Sequence, residues 1–287
     1  MEIIASPVAM QRWSEDARRR GHTLAFVPTM GFLHEGHLTL MREGRARATL
    51  LASSLFVNPT QFGPNEDFSR YPRNFDGDCE LMRTVPVDVL FAPAPEAMFP
   101  AGSQTWVEAT EVTQGLCSDH RPGHFRGVTT VVAKLFNIVK PHLALFGEKD
   151  FQQLRAIQRM VVDLNFDLQI VPVATVREPD GLAMSSRNAY LSAEERRRAL
   201  ALSRALQAAR EAVESGARTT AQLACAARAV LERTPGVEIE YVEAVASETL
   251  KPMDEFDRAV VVAVAARVGK TRLIDNVVLT PSPRPVR

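Results

Sequence analysis

The stretch Leu24-Ala25-Phe26-Val27-Pro28-Thr29-Met30-Gly31-Phe32-Leu33-His34-Glu35-Gly36-His37 decides the fold class. Leu24–Thr29 is a short, almost continuous apolar run, the pattern of a strand covered on both faces. A glycine-bearing loop follows, and Gly36–Ala48 then reads as an amphipathic helix. The alternation continues outward from this unit. Further candidate strands are Leu50–Val57, Val87–Ala92, Leu143–Phe146 and Leu168–Val176; further candidate helices are Pro7–Arg20, Asn74–Arg83, Val128–Lys140 and Phe151–Leu164. The Val128 helix is the clearest, because Val128, Val131, Val132, Leu135, Phe136 and Val139 form one apolar stripe at helical spacing. Alternating strands and helices with apolar strands predict an α/β fold with a doubly wound parallel sheet. Ligands in such sheets bind beyond the C-terminal strand ends, so the loops that follow strands are the ones to read for chemistry.

The pattern changes near Arg177–Leu182, where Glu178-Pro179-Asp180-Gly181 is a turn signal. Ser192 with Glu195 forms a capping-box pattern opening a helix to about Ser215. A second helix spans about Thr220–Arg233, and three β-type runs follow at Val237–Ala246, Ala259–Val268 and Arg272–Leu279. These predict a domain over 1–176 and a smaller α+β lid domain over 177–287, with a loose Pro-rich tail at Pro281–Arg287.

The 287 residues carry 34 Lys plus Arg against 34 Asp plus Glu, a formal net charge of zero. That balance argues against a nucleic-acid partner, and no basic amphipathic segment or long apolar run argues for a membrane. Cys79, Cys117 and Cys225 are widely spaced and odd in number, a poor disulfide framework. With no basic-then-apolar leader in the first residues, the expected location is the cytoplasm.

Three segments carry the chemistry. The loop Met30–His37 opens a helix, whose N-terminus offers free N–H groups and partial positive charge to a phosphate. His34 and His37, three residues apart, can both point at one bound group there. Two capping or solvated histidines, or half of a zinc site, are the plainer readings, although no further zinc ligands cluster nearby. Gly147-Glu148-Lys149-Asp150 directly follows a strand, placing Lys149 where a cation would neutralise a transferring phosphate and Asp150 where ribose or Mg²⁺ could be held; taken alone, it is more simply a charged turn before the Phe151 helix. Met184-Ser185-Ser186-Arg187 lies just past the boundary, where hydroxyls and a guanidinium on a mobile loop can wrap phosphates. Gln61, in Phe56–Phe62, and Gln153 supply amides suited to a small hydroxy acid, or are simply exposed. Arg121–Gly127, basic and glycine-rich, is a candidate further wall of the anion site, with His124 either part of it or structural. Gly269-Lys270-Thr271 imitates the end of a P-loop, but Val264 stands where its first glycine belongs.

The histidine loop combined with the later Met184–Arg187 loop resembles the two-part signature of the Rossmann-like adenylyl-transferring superfamily. More closely, the chain resembles the pantoate–β-alanine ligases over nearly its whole length, from Phe26–Gly31 to Arg272-Leu273-Ile274-Asp275-Asn276. The resemblance implies a homodimeric cytoplasmic enzyme that condenses pantoate with β-alanine, using ATP and Mg²⁺ and passing through a pantoyl adenylate. It implies that Met30, Gly31, Phe32, Leu33, His34, Glu35, Gly36 and His37 line the ATP site, with His37 as proton donor. Gly147, Glu148, Lys149, Asp150, Val176, Met184, Ser185, Ser186 and Arg187 would complete that site. His34, His37 and Lys149 are the implied catalytic groups; Gln61 would contact both pantoate and β-alanine, and Gln153 pantoate. Phe32 departs from the family, which more often has a small residue there, and altered loop packing is expected. A nucleotidylyltransferase shares the histidine loop but suits the neutral amides less well. An aminoacyl-tRNA synthetase would need a basic RNA-binding surface, and a non-catalytic ATP-binding module would not need so many reacting groups.

Overall fold

The computed structural model describes residues 1–64 and 66–281, so the tail beyond Pro281 lies outside the described residues. The chain divides into two compact units. One comprises residues 1–110, 121–148 and 156–176; the other comprises 111–120, 149–155 and the chain from 177 onward. In chain order the elements up to residue 176 are β1 (Glu2–Ile4), α1 (Pro7–Arg19), β2 (Leu24–Thr29), α2 (Glu35–Arg47), β3 (Leu50–Leu55), α3 (Phe75–Thr84), β4 (Val89–Phe91) and α4 (Pro95–Met98), then α5 (Cys117–His120), α6 (His124–Val139), β5 (Leu143–Gly147), α7 (Phe151–Asp163) and β6 (Gln169–Val173).

The first unit is built on six parallel strands in the order β1-β4-β3-β2-β5-β6. From β2 the chain winds outward through β3 to β4, then returns to lay β5 on the opposite edge of β2. The point of reversal lies between β2 and β5, where such sheets leave a crevice at their C-terminal ends. The loop Met30–His34 and the residues Gly147 and Glu148 leave these two neighbouring strands at that edge. On one sheet face Ala25, Val27, Leu51, Leu90 and Leu145 pack with Leu38 and Met41 of α2 and Cys79 and Met82 of α3. Strand alternation sends Leu24 and Phe26 to the other face, where α6 lies against α1 and β2. All six residues of the α6 stripe are buried, and Phe136 meets the rings of Phe146 and Phe166 edge-on at 6.3 and 5.7 Å. Burying each such side chain contributes about 1.5–3 kcal/mol.

The short helices α4 and α5 were not expected, and two further elements differ from expectation. The edge strand β1 is three residues long, and only Ile4 is buried, too little pattern to read. Helix α6 starts at His124 rather than Val128, because Gly123, at φ +79°, turns the chain into it. The extra turn brings Gly127 against the backbone of a 3₁₀ turn, Pro59–Gln61, where a Cβ would stand 2.3 Å from the Thr60 carbonyl oxygen.

The second unit contains α8 (Ala193–Glu214), α9 (Thr220–Glu232) and an antiparallel sheet of β7 (Val237–Ala246), β8 (Val260–Val268) and β9 (Thr271–Leu279). Strand β8, the central one, is buried on both faces. Val260, Val262, Val264, Ala266 and Val268 join the α8 and α9 core, while Val261, Ala263 and Ala265 pack with Leu116, Phe151 and Tyr241. Ser192 and Glu195 form the expected capping box, with bonds of 3.2 and 2.8 Å, and Thr219 with Gln222 forms another at the start of α9. The P-loop imitation resolves into a hairpin turn: Val268 pairs with Thr271, and Gly269 supplies the positive φ (+59°). Among the described residues no helix is long and apolar enough to cross a membrane.

Gly127→Ala should force the 59–61 turn off α6. Overpacking of this kind costs about 1–3 kcal/mol, to be read as a lowered urea midpoint with an unchanged m-value.

Candidate active site

After Thr29 the chain must turn sharply to enter α2. Gly31 and Phe32 do so with φ of +87° and +53°, a conformation that a bulky L-residue rarely adopts. Asp78 on α3 holds it there. Its Oδ2 accepts the N–H of Phe32 at 2.8 Å and its Oδ1 accepts that of Leu33 at 2.7 Å, with Asp78 only 2% exposed. Gly31 is equally constrained, since a Cβ would meet Leu55 at 2.6 Å and Asp78 at 3.0 Å. The half-buried Phe32 side chain lines an open cavity of about 510 Å³ with Leu33, Asn74, Gly77 and Asp78.

His34 is the N-cap of α2, and the two histidines cap it reciprocally. Gly36 N–H donates to His34 Nδ1 at 3.1 Å, and His34 N–H donates to His37 Nδ1 at 3.2 Å. The rings lie 4.1 Å apart between centroids. This corrects the expectation of free N–H groups at the helix start, since two of them are taken by imidazole nitrogens. The chemical consequence is specific. A ring nitrogen that accepts carries no proton, so each neutral ring is protonated at Nε2. Glu35, by contrast, turns along the helix surface to fork with Arg42, whose hydrogen bond holds its carboxyl below the usual range.

Gln61 is fixed from both ends. Its Oε1 accepts from Asn58 Nδ2 at 3.0 Å, and its Nε2 lies 3.3 Å from the Met30 sulfur, joining it to the histidine loop. Asn58 is 1% exposed, and its Nδ2 also donates to the Gly127 carbonyl at 3.1 Å. The Gln61 carbonyl accepts from His124 Nδ1 at 2.9 Å and Arg121 Nη2 at 3.3 Å. Arg121 in turn forks onto Glu66 at 2.7 and 2.6 Å and touches His124 Nε2 at 3.0 Å. Burial alone would raise the Glu66 carboxyl, but the bonds and charge of Arg121 outweigh it and hold it below the usual range. In this structure the Arg121 guanidinium is engaged by Glu66 and Gln61, and buried His124 braces the Gln61 carbonyl.

On the second unit, Lys149 lies in a 3₁₀ turn whose carbonyl at Lys149 accepts from Asn276 Nδ2 at 2.9 Å. Asp150 is exposed and Gln153 half-buried. The neighbouring Gln152 is the buried glutamine, receiving the Cys117 N–H at 3.0 Å and donating to the carbonyls of Val112, Gln114 and Gly115 at 3.3 Å. Met184–Arg187, expected as a mobile loop, leads into a 3₁₀ turn at Ser186–Tyr190 capped by Ser185, which accepts from Arg187 N–H at 3.2 Å. Val176 closes the first unit just before this segment.

Sequence reading did not find Asp78, Glu66 or Gln152, and it gave Asn58 no role of its own within the Phe56–Phe62 segment. Of these, only Asn58 carries a local signal, because Asn before Pro-Thr is a turn-capping pattern. Asp78 yields a prediction with a definite sign. Burial pushes its carboxyl above the ordinary range, although the Leu33 and Phe32 N–H bonds pull it down. The folded chain therefore binds this proton more tightly than the unfolded chain. The contribution to stability is full below the unfolded pKa and is lost as pH rises through the folded one. Asp78→Asn removes this titration, so any deficit of the variant against wild type should be largest at pH ~3. The deficit against wild type should narrow on raising the pH to ~7, measured by urea unfolding; a widening deficit would reverse the assignment.

Known proteins resemble this chain over nearly its whole length. Residues 2–278 match the family model described as pantoate-beta-alanine ligase. The pantothenate synthetase of Geobacter sulfurreducens is 56% identical over 97% of this chain and 99% of its own length. That of Thermotoga neapolitana is 53% identical over 97% of this chain and 100% of its own. Among solved structures, pantothenate synthetase from Thermus thermophilus superposes with a TM-score of 0.92 at 43% identity, covering 98% of this chain and 100% of that one. A pantoate–β-alanine ligase from Francisella tularensis, complexed with βγ-ATP and β-alanine, gives 0.78 at 31% identity over 96% and 97%. With matches of this extent in both sequence and structure, the chain belongs to the pantoate–β-alanine ligase family.

Proposed function

We propose that the chain joins pantoate to β-alanine at the expense of ATP, forming pantoyl adenylate and then pantothenate, with release of pyrophosphate and AMP. The observation that carries the mechanism is the reciprocal cap of α2, which commits Nδ1 of His34 and His37 as acceptors and so puts the proton of each neutral ring on Nε2. A carboxylate is a poor acyl donor, because its oxide is a bad leaving group. Transfer of AMP to pantoate makes a mixed anhydride and divides one hard step into two. Imidazole N–H donors preset toward the phosphates would stabilise the charge that develops as pyrophosphate departs, at little reorganisation cost.

The residues read as ATP-directed are Met30–His37, Gly147, Glu148, Lys149, Asp150, Val176 and Met184–Arg187. Lys149 and Arg187 would neutralise phosphate charge. Gln61, with its amide orientation fixed by Asn58, would bind pantoate and adjoin β-alanine, and Gln153 would add a second amide to pantoate. Mg²⁺ would be held chiefly by phosphate oxygens and water, with the exposed Asp150 carboxylate a suitable hard ligand. It would supply charge neutralisation. The family resemblance supports a homodimer working in the cytoplasm, and sedimentation velocity reads the first of these directly.

Enzyme, Mg²⁺, ATP and pantoate, without β-alanine, should exchange labelled pyrophosphate into ATP. In the full reaction ¹⁸O from the pantoate carboxylate should appear in AMP; pantothenate made with unlabelled AMP would rule out the adenylate. His37→Ala should slow the exchange about 10²–10³-fold. Because His37 also caps His34, this variant should lose about 1 kcal/mol of stability as well, seen in its urea midpoint.

A further inference from the structure

Strand β9 carries two adjacent polar side chains where apolar ones would pack more simply. Asp275 is 3% exposed and Asn276 8%. Burying a carboxylate and an amide is costly unless each finds partners, so where their bonds go is informative. Both Asp275 oxygens take the Arg177 guanidinium, at 2.7 and 2.9 Å, and Oδ1 also accepts the Asn276 N–H at 2.8 Å. Arg177 donates onward to the Gly181 carbonyl at 3.1 Å, and its backbone bridges to Ala183. The bond from Glu178 N–H to the Leu182 carbonyl, 2.8 Å, tightens the same hairpin. Arg177 is thus the base of a closed turn whose exit is Met184. Asn276 projects from the opposite face of the strand, as neighbours in a strand must, and donates from Nδ2 to the Lys149 carbonyl at 2.9 Å.

One dipeptide therefore grips two segments far apart in the chain. We infer that Asp275 and Asn276 are positioning residues for the adenylation step: Asn276 sets the backbone that carries Lys149, and Asp275, through Arg177, sets the root of the Met184–Arg187 loop. This rests on the reading of Lys149 and Arg187 as phosphate-binding groups. The physical basis is that a displacement of about 1 Å in a charge-bearing group can cost on the order of 10²-fold in rate. A rigid central sheet is the element in this unit best able to prevent it, since β9 is paired along its whole length to the doubly buried β8. Arg177 fits the same role. Its bond to Asp275 raises its pKa, so the fork stays charged.

The test is a double-mutant cycle on pyrophosphate exchange, with wild type, Lys149→Ala, Asn276→Ala and the double variant. Lys149→Ala should be slow; wild-type exchange in that variant would sink the phosphate-binding reading itself. Asn276→Ala should then exchange about 10- to 100-fold more slowly than wild type. Its pantoate affinity, by isothermal titration, should stay within about twofold if the residue acts through Lys149. The double variant should be no slower than Lys149→Ala by more than about twofold. With Lys149→Ala impaired, either a near wild-type Asn276→Ala or two effects that simply multiply would overturn the positioning role and leave the phosphate-binding reading intact. Should Asn276→Ala fail to fold, Asn276→Ser takes its place in the cycle with the same outcomes.

Discussion

The two hydrogen bonds that Asp78 accepts from the backbone N–H groups of Phe32 and Leu33 are the constraint on which the candidate active-site edge of the first unit depends. A left-handed turn containing a phenylalanine costs about 1–2 kcal/mol and persists only where surrounding structure over-determines it. The buried carboxylate does so, and in consequence His34 becomes the first residue of a cap rather than part of a loop. From there the geometry propagates without further choice. His34 receives Gly36, His37 receives His34, and both rings are committed at Nδ1. Met30, on the other side of the turn, comes to rest against the Gln61 amide.

The same device recurs elsewhere: a loop is held by a buried polar brace from a separate element. Glu66, Arg121 and His124 fix the backbone of Gln61, and Asp275 with Arg177 fixes the entry to Met184. Such braces are expensive, because each charge must leave water, and they are tolerable only when fully bonded. Their return lies less in stability than in preorganisation. Groups that stabilise a transition state act best when already in place.

What could be read in the sequence follows from the range of the interactions. Strands β2, β3 and β5, helix α6 and the Ser192 capping box are legible, because their signals are periodic or confined to four residues. The start of α6 is not: His124-Phe125-Arg126-Gly127 reads as a glycine-rich loop until Gly123 is seen to turn the chain and Gly127 to admit the Thr60 backbone. Capping is one of the plainer readings of His34 and His37, but its reciprocity is not legible, because histidine is not among the usual capping residues and both rings also read as phosphate ligands. Arg121 reads as an anion ligand because Glu66 lies far off in the chain. Asp78 carries no signal at all. Its partners lie 45 and 46 residues away, and within α3 it looks like one more acidic residue of a first turn. The segments 111–120 and 149–155, which cluster with the second unit, are held there by long-range contacts such as those of Gln152 and Asn276.

The central claim is that the fold itself selects the histidine tautomer from which His34 and His37 donate. Long-range ¹H–¹⁵N correlation spectra of the ¹⁵N-histidine-labelled protein measure this directly, with His34→Gln and His37→Gln used for assignment. The account predicts that in both rings Nε2 carries the proton and Nδ1 shows the shift of a hydrogen-bonded acceptor. A proton on Nδ1 of either ring in the ligand-free protein would contradict it.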